Sequence, residues 1–200
     1  AVMSRVQEVL GPRAVLPAYF SGHDGRDGGP AHDSDRPHLS FAFDAASGRV
    51  LVVAPHVLER RDPDARERDR LGALSDALEG LHEVRAGRAG LLSLRRVPFD
   101  AESDPLVSAA RSWRTITPYQ VNRHAKKMLA SEALALDVRL ECLRRGLPEP
   151  QVVARDARGV TGVGLVGEIE LHFARPVRGP LLLGRDRHLG GGLFVAVRSP

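Results

Sequence analysis

Two hundred residues with 29 Lys and Arg against 25 Asp and Glu carry a formal charge of +4, and hydrophobic residues make up 42% of the chain. That length suffices for one large domain or two small ones with their own cores, and the composition excludes a disordered or low-complexity chain. A single cysteine excludes an intrachain disulfide and a thiolate metal cage, and the lack of any long apolar run or signal peptide leads us to expect a cytoplasmic protein.

Ser4-Arg5-Val6-Gln7 has capping-box spacing, Val6, Val9 and Leu10 make an apolar face, and Gly11-Pro12 stops this short helix. Residues 21–37 are too rich in Gly and Asp for regular structure. Two strands follow, His38–Phe43 and Arg49–Ala54, joined by a turn at Ala46-Ser47-Gly48. Asp62-Pro63 supplies an N-cap acid and a proline at the first helical position, after which Leu71, Leu74, Leu78 and Leu81 recur as one buried helical stripe. Leu91–Val97 is a third strand.

The second half has similar content. Trp113–Tyr119 is extended, with Pro118 placing it at an edge or end. A helix covers about Ser131–Arg145, with Leu136, Leu140 and Leu143 on one face and Gly146 as its stop. Cys142 lies within it as a small buried hydrophobe. Gln151–Arg155 and Val166–Ala174 are strands, the second alternating Ile169, Leu171 and Phe173, and Gly179–Val197 closes the chain. The pattern predicts an α+β protein of two tandem ferredoxin-like modules with antiparallel sheets. Residues 1–100 form the module with a histidine-rich loop, and residues 101–200 the module with a C-terminal glycine-rich loop.

Charge divides unevenly between these halves. Residues 1–100 hold 14 basic and 15 acidic side chains, a net of −1, whereas residues 101–200 hold 15 and 10, a net of +5. A basic half joined to a neutral one suits a polyanionic partner such as nucleic acid.

Three stretches carry possible chemistry. The segment from Gly179 to Phe194 alternates glycines with Arg185, Arg187 and His188 between two apolar runs. Glycines permit close backbone approach, and successive N–H groups cradle anions; the same residues also suit a hairpin with a solvated basic rim. The spacing is neither a P-loop nor a dinucleotide fingerprint. Trp113 to Lys127 combines two aromatics with Arg114, Arg123, His124, Lys126 and Lys127. Aromatic faces stack on unpaired bases while cations contact phosphates, although a core tryptophan beside a basic turn has the same composition. His23, Asp24, Asp27, His32, Asp33, Asp35 and His38 match no defined zinc or calcium spacing. Their imidazoles suit acid–base work, and His38 is best supported because it opens a strand; scattered surface histidines are the plain alternative. No Gly-x-Ser-x-Gly elbow is present. Histidine-assisted RNA cleavage needs the least further machinery, since RNA brings its own 2′-hydroxyl nucleophile.

Ser21-Gly22-His23 with His32 and His38-Leu39 form one motif. Trp113-x-x-x-Thr117-Pro118-Tyr119 followed by Arg123-His124-x-Lys126-Lys127 forms a second. Gly179-Pro180-Leu181-x-Leu183-Gly184-x-x-x-His188-x-Gly190-x-Gly192-Leu193-Phe194 forms the third. Together they resemble the CRISPR-associated repeat-RNA-processing endoribonucleases of the RAMP superfamily, of the type I-G (formerly I-U) kind. The resemblance spans nearly the whole chain, and the third motif is its most specific part. The family's usual fused crRNA 5′-handle-binding domain has no counterpart in these residues. The chain begins at Ala1, as expected of a processed or excised piece.

The resemblance implies metal-independent cleavage of precursor CRISPR RNA with no cofactor, leaving a cyclic phosphate and a 5′-hydroxyl. It implies RNA contacts from Arg123, Lys126, Lys127, Gly184, Arg185, Arg187, His188, Gly190 and Gly192. Because catalytic positions vary across the superfamily, the candidates are His38 as general base with His32 or His124 as the second proton-transfer group. CRISPR repeat RNA and other subunits of a type I effector complex are the expected partners, with no membrane. A non-catalytic crRNA-binding subunit is the alternative role.

Overall fold

The computed structural model describes residues 1–23, 37–98, 100–122 and 127–197. The elements in chain order are α1 (Val2–Leu10), α2 (Ala18–Ser21), β1 (Ser40–Asp44), β2 (Arg49–Val53), α3 (Pro55–Leu58), α4 (Ala65–Glu79), β3 (Glu83–Arg85), β4 (Leu91–Ser93), β5 (Ala109–Thr115), β6 (Tyr119–Gln120), α5 (Ala130–Arg144), β7 (Gln151–Val160), β8 (Gly164–Arg178), β9 (Leu181–Leu182) and β10 (Leu193–Ala196). The fold is α+β with antiparallel sheets, the largest of six strands. Among the described residues no helix is long and apolar enough to cross a membrane.

The chain divides into two compact units, Ala1–Leu39 with Arg61–Phe99, and Ser40–Arg60 with Asp100–Pro200. The segment 40–60 groups with residues 100–200 rather than with its neighbours in sequence. Packing explains this. The β1–β2 hairpin turns Ala42 and Val53 inward, where they join Leu58, Leu106, Leu182 and Leu193 in one apolar cluster.

In the first unit, α1 packs on α4, and Val6, Tyr19, Phe20, Leu39, Leu74 and Ala77 are buried. Helix α1 begins at Val2, so Ser4 lies inside it and caps nothing. Asp64, rather than Asp62, caps α4: its side chain accepts from the Glu67 backbone N–H at 2.8 Å, and the Glu67 side chain accepts from that of Asp64 at 3.0 Å. This reciprocal pair satisfies two donors that the helix cannot satisfy itself, which is why it prevails over the Asp-Pro signal two residues earlier. Strands β3 and β4 pair as a short antiparallel ribbon, so the predicted strand 91–97 ends at Ser93.

The second unit is built on β8. It pairs with β7 on one side, and with β6 and then β5 on the other; β10 and β9 continue beyond β5. Ile169, Leu171 and Phe173 alternate inward from β8 as predicted, and meet Trp113, Leu134, Val138 and Cys142 in the core. Helix α5 covers this face. Its orientation differs from the predicted one: Ala133, Leu134, Val138 and Cys142 face the sheet, while Leu136, Leu140 and Leu143 are exposed. Close approach selects the smaller face. A Cβ on Gly167 of β8 would stand 2.5 Å from the Leu134 side chain and 2.9 Å from the Arg155 carbonyl oxygen, so helix and sheet meet where one partner lacks a side chain.

Candidate nucleic-acid interface

Between β9 and β10 the glycine-rich segment leaves the sheet and returns to it, and the segment 117–120 holds it in place. The Thr117 hydroxyl donates to the Gly190 carbonyl at 2.7 Å and accepts from the Leu193 N–H at 2.9 Å. The Gly192 N–H donates to Pro118 O at 2.9 Å, and the Arg185 N–H to Gln120 O at 3.0 Å. The second and third sequence motifs, more than seventy residues apart at Thr117 and Gly190, thus form one structural unit.

The glycines shape this loop. Gly184 has φ +99°, and a Cβ there would lie 2.7 Å from Gln120 O and 3.1 Å from the Tyr119 ring. Gly192 has φ +57°, and its Cβ would collide with the Leu183 carbonyl. Gly184, Gly190 and Gly192 are buried, which leaves the side chains of Arg185, Arg187 and His188 at the loop surface. We expect Gly192→Ala to lower stability by about 2–4 kcal/mol, because left-handed backbone strain adds to overpacking against an immovable carbonyl. Urea titration would read this loss, and an unchanged midpoint would refute the packing account.

Arg185 is exposed. Arg187 and His188 are half-buried in a single 3₁₀ turn, Arg187–Leu189. The Arg187 guanidinium donates to Gly184 O at 3.3 Å, and His188 Nδ1 stands 2.9 Å from the Ser40 hydroxyl at the start of β1. Arg187 is therefore tied back to the loop and His188 to the hairpin, whereas the Arg185 side chain extends from the surface. Lys127 is exposed with φ +74°. Arg123, His124 and Lys126, and in the first half His32, lie outside the described residues.

Trp113 and Tyr119 are fully buried, which settles the two readings of that stretch in favour of the core; neither offers a face to a base. The Trp113 indole N–H donates to Ala110 O at 3.1 Å, as a buried donor must. The Tyr119 hydroxyl donates to Asp137 Oδ2 at 2.7 Å. That carboxylate also accepts from the Asn122 backbone N–H at 2.9 Å and from its side-chain amide at 3.2 Å. Burial pushes the Tyr119 phenol well above its usual range, and the Asp137 carboxylate beside it pushes the same way. Asp137 was not singled out in the sequence. The available signal was a carboxylate set among apolar residues on a helix, with no basic residue three or four places away.

In the first unit the structure joins the two described parts of the remaining motif. His38 is half-buried. Its Nδ1 stands 2.9 Å from Leu39 O, and the Leu39 N–H donates to Tyr19 O at 2.9 Å. A carbonyl only accepts, so Nδ1 carries a proton, and Nε2 is the nitrogen that bears the lone pair whenever the ring is neutral. Gly22, at φ +72°, lies flat against this ring, since a Cβ there would stand 2.8 Å from Nε2 and Cδ2.

Cys142 is buried, and burial pushes its thiol up to about 12, which leaves almost no thiolate at neutral pH. Among the described residues no three His, Cys, Asp or Glu side chains group in a way that could hold a metal ion. No family model, curated protein or solved structure matches the chain. Geometry and sequence motif must therefore carry the functional reading.

Proposed function

We infer that this chain binds and cleaves CRISPR repeat RNA as a metal-independent endoribonuclease of the RAMP type that its three motifs resemble. The observation that carries the reading is the Thr117 clasp. It joins two stretches, read separately as RNA-binding motifs, into one loop that presents Arg185, Arg187 and His188 at its surface, beside Asp186 and Leu189.

The order of strands supports the finer fold assignment for the second unit. Strand β5, helix α5 and strand β7 form a split β-α-β unit with β8 between the two strands, and β10 flanks β5. This is the strand order of a ferredoxin-like sheet, with the glycine-rich loop where the second crossover helix would stand. For the first unit the ferredoxin-like assignment rests on the resemblance alone.

In the proposed reaction His38 Nε2 removes the proton of the 2′-hydroxyl at the scissile nucleotide. The 2′-oxygen attacks phosphorus, the bond from phosphorus to the 5′-oxygen breaks, and His32 or His124 returns a proton to that leaving oxygen. The products are a 2′,3′-cyclic phosphate and a 5′-hydroxyl. Arg185, Arg187, His188 and Lys127, with Arg123 and Lys126, neutralise the phosphates; Gly184, Gly190 and Gly192 set the form of the loop. The partners are CRISPR repeat RNA and other subunits of a type I effector complex.

Cleavage of repeat RNA in EDTA, abolished by a 2′-deoxy substitution at the scissile nucleotide, is the expected result. Tight binding without cutting would replace the enzyme by a crRNA-holding subunit. The loop cations make a separate prediction. Changing Arg185 and Arg187 together to alanine should weaken binding to single-stranded RNA and flatten the slope of log affinity against log salt by about 1.4, the value for two lost phosphate contacts. An unchanged slope would remove both residues from the interface.

A further inference from the structure

Helix α5 is apolar on two faces. One packs on the sheet, and on the side away from it Leu136, Leu140 and Leu143 stand 37%, 46% and 47% exposed. A helix lying on a sheet needs a single apolar stripe, and a second one marks a surface that something else covers. Leu129, at the N-cap, precedes Leu136 by seven residues and is 68% exposed. Leu129, Leu136 and Leu143 thus repeat every seven residues, the spacing of a seam between two helices.

The stripe is self-complementary, and that identifies its partner. A second copy of α5, turned end for end about Leu136, sets Leu136 on its own counterpart and Leu129 against Leu143 of the other copy. Charge follows the same symmetry. Glu132 and Arg139, four residues before and three after Leu136, flank the stripe on the same side. In an antiparallel pair each flank meets the same flank of the other helix, so Glu132 of each copy faces Arg139 of the other and two ion pairs border the seam. Within its own chain Arg139 has Glu149 at 3.6 Å, beyond hydrogen-bond reach, so its guanidinium can turn to a closer acceptor. A parallel pair would set Glu132 on Glu132 and Arg139 on Arg139, and like charges oppose it. Helix α5 has 15 residues and spans about 22 Å, too short to bury alone the ~800 Å² per partner of a standard interface, so the pair is weak and concentration-dependent.

We propose that the leucine face of α5 is a dimer interface, on which two copies of this protein pair antiparallel about Leu136. The inference stands apart from the RNA-binding reading, since it uses neither the glycine-rich loop nor any histidine.

The test is sedimentation equilibrium of the RNA-free full chain from about 1 µM to about 500 µM, a range that brackets a weak interface. The parent should pass from monomer to dimer within it. Leu136→Glu sets two carboxylates together at the centre of the seam and should hold the protein monomeric; circular dichroism checks that it folds. Glu132→Arg and Arg139→Glu each oppose like charges at both ends of the seam and should weaken dimerisation by about tenfold. The double variant exchanges the two charges and should regain the parent affinity. An equimolar mixture of the two single variants should pair more tightly than either alone, because each supplies the charge that the other lacks. A parent that stays monomeric throughout overturns the proposal and leaves the face to a different subunit. A dimer that survives Leu136→Glu overturns it too, since another surface would then join the copies. A dimer lost with Leu136→Glu but indifferent to both charge reversals overturns the antiparallel pairing.

Discussion

Replacing His38 by alanine should slow cleavage of repeat RNA by about 10²–10⁴-fold, the usual contribution of a positioned general base. RNA affinity should change little, since the phosphate contacts proposed for the loop are untouched. The structure makes the expectation specific to one ring nitrogen. Leu39 O fixes Nδ1 as the donor, so the basic atom is Nε2. Glutamine at position 38 supplies a donor and an acceptor but cannot take up a proton, and should be as inactive as alanine. A second consequence concerns Gly22. Any side chain there would strike the ring, so Gly22→Ala should displace His38 and lower the rate without removing a titratable group. Cleavage by the His38→Ala protein at the parent rate would eliminate His38 from the mechanism, and would turn attention to His32 and His124.

Asp137→Ala should strongly destabilise the second unit. It leaves three buried or half-buried donors without their common acceptor: the Tyr119 hydroxyl, the Asn122 N–H and the Asn122 amide. Each unsatisfied buried donor costs about 1–3 kcal/mol, partly relieved by entering water, so a loss of about 3–4 kcal/mol is expected. Asp137→Asn keeps one acceptor oxygen and should lose about half as much. A double-mutant cycle with Tyr119→Phe isolates the hydroxyl–carboxylate bond, and a coupling near zero would contradict the geometry. The change should also reach the loop, because Gln120 O, next to Tyr119, accepts from the Arg185 N–H. Urea titration reads the first effect, and weaker RNA binding by the folded fraction reads the second.

Local signals were legible wherever a residue's neighbours in sequence decide its conformation. The β1–β2 hairpin followed from two β-rich runs around Ala46-Ser47-Gly48, and the structure pairs them from Ser40↔Val53 to Asp44↔Arg49. The end of α5 followed from Gly146, which adopts φ +69°. The inward alternation of Ile169, Leu171 and Phe173 followed from the two-residue period of a strand. The cap of α4 is present in the sequence as Asp64-Ala65-Arg66-Glu67, two residues after the competing Asp62-Pro63 signal.

Other features depended on partners far along the chain. Helix α5 has two apolar faces. Its sequence favoured the one with Leu136, Leu140 and Leu143, but the face that packs on the sheet is that of Ala133, Leu134, Val138 and Cys142, with Leu134 against Gly167, and that face brings Asp137 to Tyr119. The same carboxylate draws Tyr119 inward. The aromatics that composition marked for stacking, Trp113 and Tyr119, became core.

By itself the sequence determined the existence of α1, α4 and α5, the β1–β2 hairpin, the alternation along β8 and the basic character of the second half, because propensity, periodicity and charge are carried by short stretches of chain. The tertiary structure decided which helix face is buried, that residues 40–60 join the second unit, and that Thr117 locks the glycine-rich loop. Those outcomes turn on close approach and on the satisfaction of buried polar groups between residues distant in sequence, which no local pattern encodes.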